Sequence, residues 1–116
     1  HCGGLGEAKK IAAMAEACSI GVAPHNPLGP IAGAAALHFA VSTPNHVIQE
    51  EMVGAVPWYS EVVHGPIRLV DGCWQIPEAP GLGVEIDERA CARHPFRQEV
   101  LHTQNAVLDD GTVVDW

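Results

Sequence analysis

Leu5, Ala8, Ile11, Ala12, Ala15 and Cys18 recur at three- and four-residue intervals, which lays one apolar stripe along a helix over about residues 6–19. Ala, Glu and Lys fill the rest of that stretch and favour the same conformation. Gly21 reads as its stop. "IGVAP" (20–24) follows, too short to alternate and so a strand apolar on both faces. A second apolar block, "PIAGAAALHFAVS" (30–42), opens on a proline suited to a helix first turn and is rich in small residues around Gly33. Pro44 and Asn45 end it, and "HVIQEE" (46–51) is another short extended run. Helix, strand, helix, strand with short loops predicts a parallel α/β arrangement.

The rhythm changes after residue 53. "RLVDGCWQIP" sets Asp71-Gly72 between apolar runs, a strong hairpin signal. "APGLGVEIDERAC" reads as a loop, an extended piece and one helical turn, and "HTQNAVLDDGTVVDW" as a second Asp-Gly turn within a closing hairpin. The expected division is residues 1–53 as the end of one α/β domain and 54–116 as loops and hairpins that pack upon it.

Composition narrows the function classes. With 47% apolar residues the chain can build a modest core. No apolar run nears the roughly 20 residues that span a bilayer, so no membrane partner is expected. A formal charge of −8 disfavours nucleic acid as well. The four cysteines, Cys2, Cys18, Cys73 and Cys91, are far apart, which supports neither a zinc site nor a redox motif and fits a reducing cytoplasm. The opening "HCGG" carries neither a methionine nor a signal pattern, and the chain is expected to be a piece of a longer polypeptide.

If the two early strands are parallel, both end at the rim where α/β sites form. His25 directly follows "GVAP" and Glu50 closes "HVIQ". An imidazole and a carboxyl at one rim suit acid–base chemistry on a small molecule, although the same residues also read as a turn histidine and a solvated carboxylate. Successive strand side chains face opposite ways, so only one of Glu50 and Glu51 can serve that site. Asn26, beside His25, is a candidate for substrate contact. His38 and His46 read as structural, Trp58 and Trp74 as packing residues, and His64, His94 and His102 as surface. The glycines of "PGLGVE" lack the strand-then-helix context of a nucleotide loop.

"IAAMAEACSIGVAPHNPLGPIAGAAALH", "NHVIQEE", "APGLGVEIDE" and the ending "DDGTVVDW" resemble the C-terminal part of the galactonate dehydratases, in the mandelate racemase branch of the enolase superfamily. The resemblance implies an α/β fold: the last strands and helices of a modified TIM barrel, with a tail that packs on a capping domain. It implies a lyase that removes water from a sugar acid to leave a 2-keto-3-deoxy acid. His25 falls where that family has its general base, and Glu50 where a glutamate donates a hydrogen bond to the developing enolate; Glu51 is left to loop or surface. It also brings His1 and Trp116 toward the substrate side. Enolase-type sites pair such a base with Mg2+, and the resemblance puts the metal ligands, the acid histidine and the aspartate that orients the base upstream of residue 1. Nothing within the chain is then expected to fix the tautomer of His25, and the segment alone is expected to be inactive. The implied partners are a sugar-acid substrate, the upstream barrel and capping domain, and further copies in a homo-oligomer. Two alternatives stand beside this: another superfamily enzyme, such as a gluconate or other sugar-acid dehydratase or an epimerase, and a non-catalytic module that keeps only the barrel's last elements.

Overall fold

The computed structural model describes residues 2–27, 29–52, 54, 56–65, 68–98 and 108–112. The first apolar stripe becomes helix α1, Leu5–Ala17. It ends four residues before Gly21. Ser19 takes the left-handed conformation (φ 57°), and the Ile20 N–H turns back onto the Ala15 carbonyl at 2.9 Å. The Ala15 carbonyl also accepts from the Cys18 N–H, at 3.0 Å, and the left-handed turn at Ser19 ends the helix before the expected glycine.

Helix α2, Pro30–Val41, carries Pro30 in its first turn and buries Gly33, Ala34, Leu37 and Phe39. With Ala12 of α1, these form the larger apolar cluster. Polar clasps at the C-terminal end of α2 fix the two helices together. Lys9 Nζ reaches the Ser42 carbonyl and lies 3.3 Å from Thr43 Oγ1, while Asn45 Nδ2 donates to the Ala12 and Ile20 carbonyls, both at 2.9 Å.

The two early strands meet as expected, in parallel, though over a single bridge. Val22 N–H donates to the Asn45 carbonyl at 2.8 Å, and Val47 N–H to the Val22 carbonyl at 2.9 Å. His46 packs edge-on against Phe39, which makes it a structural histidine. His38 is half-buried within α2.

Beyond residue 54 a short helix α3, Tyr59–Val62, runs into strand β1, Val63–His64. The hairpin predicted at Asp71-Gly72 is present as β2, Leu69–Val70, paired with β3, Cys73–Trp74. Both turn residues have positive φ, 50° and 77°, as the tight mirror-image turn requires. Strand β4, Glu85–Ile86, pairs antiparallel with β1, a long-range match that no local signal marks. The single helical turn expected near residue 88 extends to a six-residue helix α4, Glu88–Arg93. Val62 and Ala90 form the small core of this unit. The turn at residues 109–110 is present, with Leu108 N–H bonded to the Thr112 carbonyl at 2.9 Å. The rest of the expected closing hairpin lies outside the described residues.

His94 departs from its surface reading. Its ring stacks on Trp58 at a centroid distance of 4.2 Å and an interplanar angle of 11°, closing α4 against α3. Asp87 caps α4, accepting from the Ala90 N–H at 2.9 Å. That bond first, then the Arg89 N–H and His64, holds the Asp87 carboxyl below its ordinary value. Glu61 is held low in the same way, by Arg93 first and His94 second. A group with a depressed native pKa stabilises the fold above its unfolded pKa of about 4 and loses that contribution as pH falls through the native value. The protection of the Ala90 amide, the slowing of its exchange relative to an unstructured amide at the same pH, is therefore expected to fall on acidification below about pH 4, and Asp87→Ala should show the lower protection already at neutral pH. Equal exchange in variant and parent at pH 7 would remove the cap from the account.

Candidate active site

The ends of the two parallel segments are sewn together by side chains. Gln49 Nε2 donates to the Pro24 carbonyl at 3.1 Å and to the Glu50 carbonyl at 3.0 Å. Asn26 N–H donates to Glu50 Oε2 at 2.7 Å, and Asn26 Nδ2 to Glu51 Oε2 at 3.0 Å. His25 Nδ1 lies 2.8 Å from the same Glu50 Oε2. The stiff "PHNP" segment thus presents His25 to a carboxylate 25 residues further along the chain.

The two groups singled out from sequence converge, and both stay open to solvent, with side chains 68% (His25) and 45% (Glu50) exposed. Glu50 thus sets a carboxylate oxygen beside the imidazole, at ion-pair distance. His25 also lies on the wall of a 390 Å³ cavity, otherwise lined by apolar groups such as Ile11, Val22 and Phe39 and by Cys2.

Asn26 is 3% exposed, with its side-chain amide engaged by Glu51. The Nδ2 donor of Asn26 is thus engaged within the protein. Glu51 lies outside any helix or strand. It is half-buried on the wall of a separate 460 Å³ cavity that also contains Tyr59, Ser60, His64 and Arg68. Burial lifts its carboxyl above the ordinary value, outweighing the Met52 backbone bond and the Asn26 amide, which pull it down. Glu50 lies beside His25, while Glu51 lines the other cavity. Close approach at Gly33 shapes this second pocket: a Cβ there would stand 2.9 Å from Glu51 Oε2 and 3.3 Å from the Trp74 ring.

Gln49 is the site-forming residue that sequence reasoning passes over, and Glu51 the one it sets aside. The signal was the polar run Gln49-Glu50-Glu51 ending an otherwise apolar strand. His1 and Trp116 lie outside the described residues. Among the described residues, no group of three or more His, Cys, Asp and Glu side chains gathers to hold a metal ion. The described residues alone do not make a magnesium centre. No described helix is long and apolar enough to cross a membrane. All four cysteines are exposed and unpaired by disulfides.

An α/β segment whose parallel strand ends bring a histidine and a glutamate together matches a family of enzyme domains. Residues 1–90 match the family described as enolase C-terminal domain-like, and the chain belongs to that family. More particularly, it is 41% identical over 126 residues to a D-galactonate dehydratase of Xanthomonas axonopodis pv. citri, and 40% identical over 118 residues to a D-galactonate dehydratase family member of Streptomyces bingchenggensis. Each alignment takes in all of this chain but only 32% and 28% of those proteins, so the chain spans about a third of their length. In shape it resembles a mandelate racemase/muconate lactonizing enzyme of Burkholderia SAR-1, with a TM-score of 0.79 at 45% identity over 88% of this chain and 26% of that one.

Proposed function

We propose that this chain supplies the proton-abstracting corner of a sugar-acid dehydratase, with His25 as general base and Glu50 as its partner. The observation that carries this reading is the 2.8 Å approach of His25 Nδ1 to Glu50 Oε2 at the paired ends of two parallel segments. In this reading Nε2 takes the proton from the carbon next to the substrate carboxylate. A bond to that carbon is weakened only as its carboxylate gains enediolate character, so the reaction needs groups that favour charge on those oxygens. Glu50 is the carboxyl at hand. With Oε2 engaged by Asn26 and His25, its other oxygen, Oε1, can present a proton to the enediolate when the group is protonated. Departure of the 3-hydroxyl as water and tautomerisation then give a 2-keto-3-deoxy acid.

The groups that protonate the departing hydroxyl and hold a metal are expected from the upstream part of the barrel, which with its capping domain would be the principal partner of this segment. A cytoplasmic homo-oligomer belongs to the same proposal. The described residues hold no metal set, so no step is assigned to one here.

The test is to incubate the complete polypeptide with Mg2+ and a panel of aldonic acids, galactonate and gluconate among them, and to assay for 2-keto-3-deoxy acids. Keto-acid formation from at least one acid is expected. Exchange of the α-hydrogen without keto acid would indicate an epimerase, and neither exchange nor product would overturn the proposal.

A further inference from the structure

We infer that Glu51 is a positioning residue for the proton-transfer pair: acting through Asn26, it fixes the backbone N–H that holds Glu50 and so the imidazole of His25. The inference rests on the reading of His25 and Glu50 given above.

The exposed pair has little packing of its own. With the His25 and Glu50 side chains 68% and 45% exposed, neither rotamer is locked by neighbours on all sides. What they do have is one short bond, from the Asn26 N–H to Glu50 Oε2 at 2.7 Å, on the oxygen that also faces His25. The direction of that N–H depends on the conformation of Asn26. Asn26 is almost wholly buried, and a buried amide donor must find a partner inside the protein. Its partner is Glu51 Oε2, at 3.0 Å. Asn26 therefore ties together two adjacent carboxyls, one by its main chain and one by its side chain.

Glu51 is itself confined. On one side its carboxyl meets the Cβ-free face of Gly33, where even a methyl group would crowd Oε2 at 2.9 Å, and the Trp74 ring closes the same space. The acceptor that anchors Asn26 is thus held by packing, while the groups it serves are not. Its raised pKa is in keeping with a carboxyl placed in a part-buried pocket for structure and not for solvation. Proton transfer tolerates little displacement; an error of about 1 Å can cost about 100-fold in rate.

The experiment uses the complete polypeptide with Mg2+ and galactonate as the probe, following α-hydrogen exchange in deuterated water together with kcat and KM. Glu51→Ala and Glu51→Met both delete the acceptor, and Met keeps the length and apolar contact of the stem should Ala fail to fold. Both are expected to lower kcat and the exchange rate about 10- to 100-fold, with KM changed by less than about threefold. Glu51→Gln, which keeps an acceptor oxygen for Asn26, is expected to recover most of the loss. A Met variant with unaltered exchange overturns the inference, as does a Gln variant as impaired as Met. His25→Asn in the same assay separates the two levels. Exchange lost on His25→Asn but untouched by Glu51→Met removes Glu51 alone, whereas exchange untouched by His25→Asn removes the reading beneath it.

Discussion

Changing His25 to Asn in the complete polypeptide is expected to abolish exchange of the substrate's α-hydrogen with solvent and to reduce turnover by about 100- to 10,000-fold, the usual contribution of a positioned general base. Asn can still occupy the hydrogen-bonding place beside Glu50 Oε2 but cannot accept the proton, so substrate affinity should change far less than rate. Glu50→Gln should lower turnover as well, since it replaces the carboxyl beside His25 Nδ1 with an amide. If the two residues act as one unit, the double variant will be scarcely slower than His25→Asn alone. Losses that multiply would show independent roles, and undiminished exchange in His25→Asn would take His25 out of the chemistry. Deuterium incorporation followed by NMR reads all of these outcomes without depending on later steps.

That such a test can be framed on two residues reflects what short-range patterning encodes. The stripe from Leu5 to Cys18 and the proline-led run from Pro30 give α1 and α2 to within a few residues, because helices depend on contacts three and four positions apart. The Asp71-Gly72 hairpin is likewise local. The pairing of β1 with β4 is not: more than twenty residues separate Val63 from Ile86, and neither two-residue strand alternates visibly. The site divides along the same line. His25 and Glu50 stand out as titratable groups at the ends of apolar runs, but their roles come from resemblance and not from spacing. That only one of the two glutamates would serve the site follows from the pleat, and the resemblance selects Glu50. That Asn26 would hold both glutamates, or that Gln49 would tie Pro24 to the next strand end, depends on side chains meeting across a turn and leaves no periodic trace. His94 was misread for the same reason, since its stacking on Trp58 joins residues 36 positions apart.

The second large effect expected concerns the 116-residue chain by itself, which should be partly folded and prone to associate. Among the described residues the buried apolar side chains are few and mostly small: Ala12, Ala34, Leu37 and Phe39 in one cluster, Val62 and Ala90 in another. Meanwhile Met14, Val47, Ile48, Ile76 and Phe96 are between 63% and 90% exposed. Apolar area left in water forfeits about 25 cal/mol per Å² that burial would supply, and contiguous exposed apolar surface favours association. Val47 and Ile48 make the point most directly, lying on the parallel segment one to three residues before the Gln49-Glu50 corner, where a closed sheet would cover both faces. The parallel pairing is a single bridge, and the larger cluster depends on Phe39, whose replacement by Ala is expected to cost about 3–5 kcal/mol. The isolated chain should therefore bind an apolar dye strongly, give a broad and shallow thermal transition, and sediment as more than a monomer. The complete polypeptide should melt cooperatively and lose the dye signal as Val47 and Ile48 become covered. A soluble monomer of the 116 residues with a sharp transition would mean that these clusters suffice, and that the exposed strand faces need no further elements to hold His25 against Glu50.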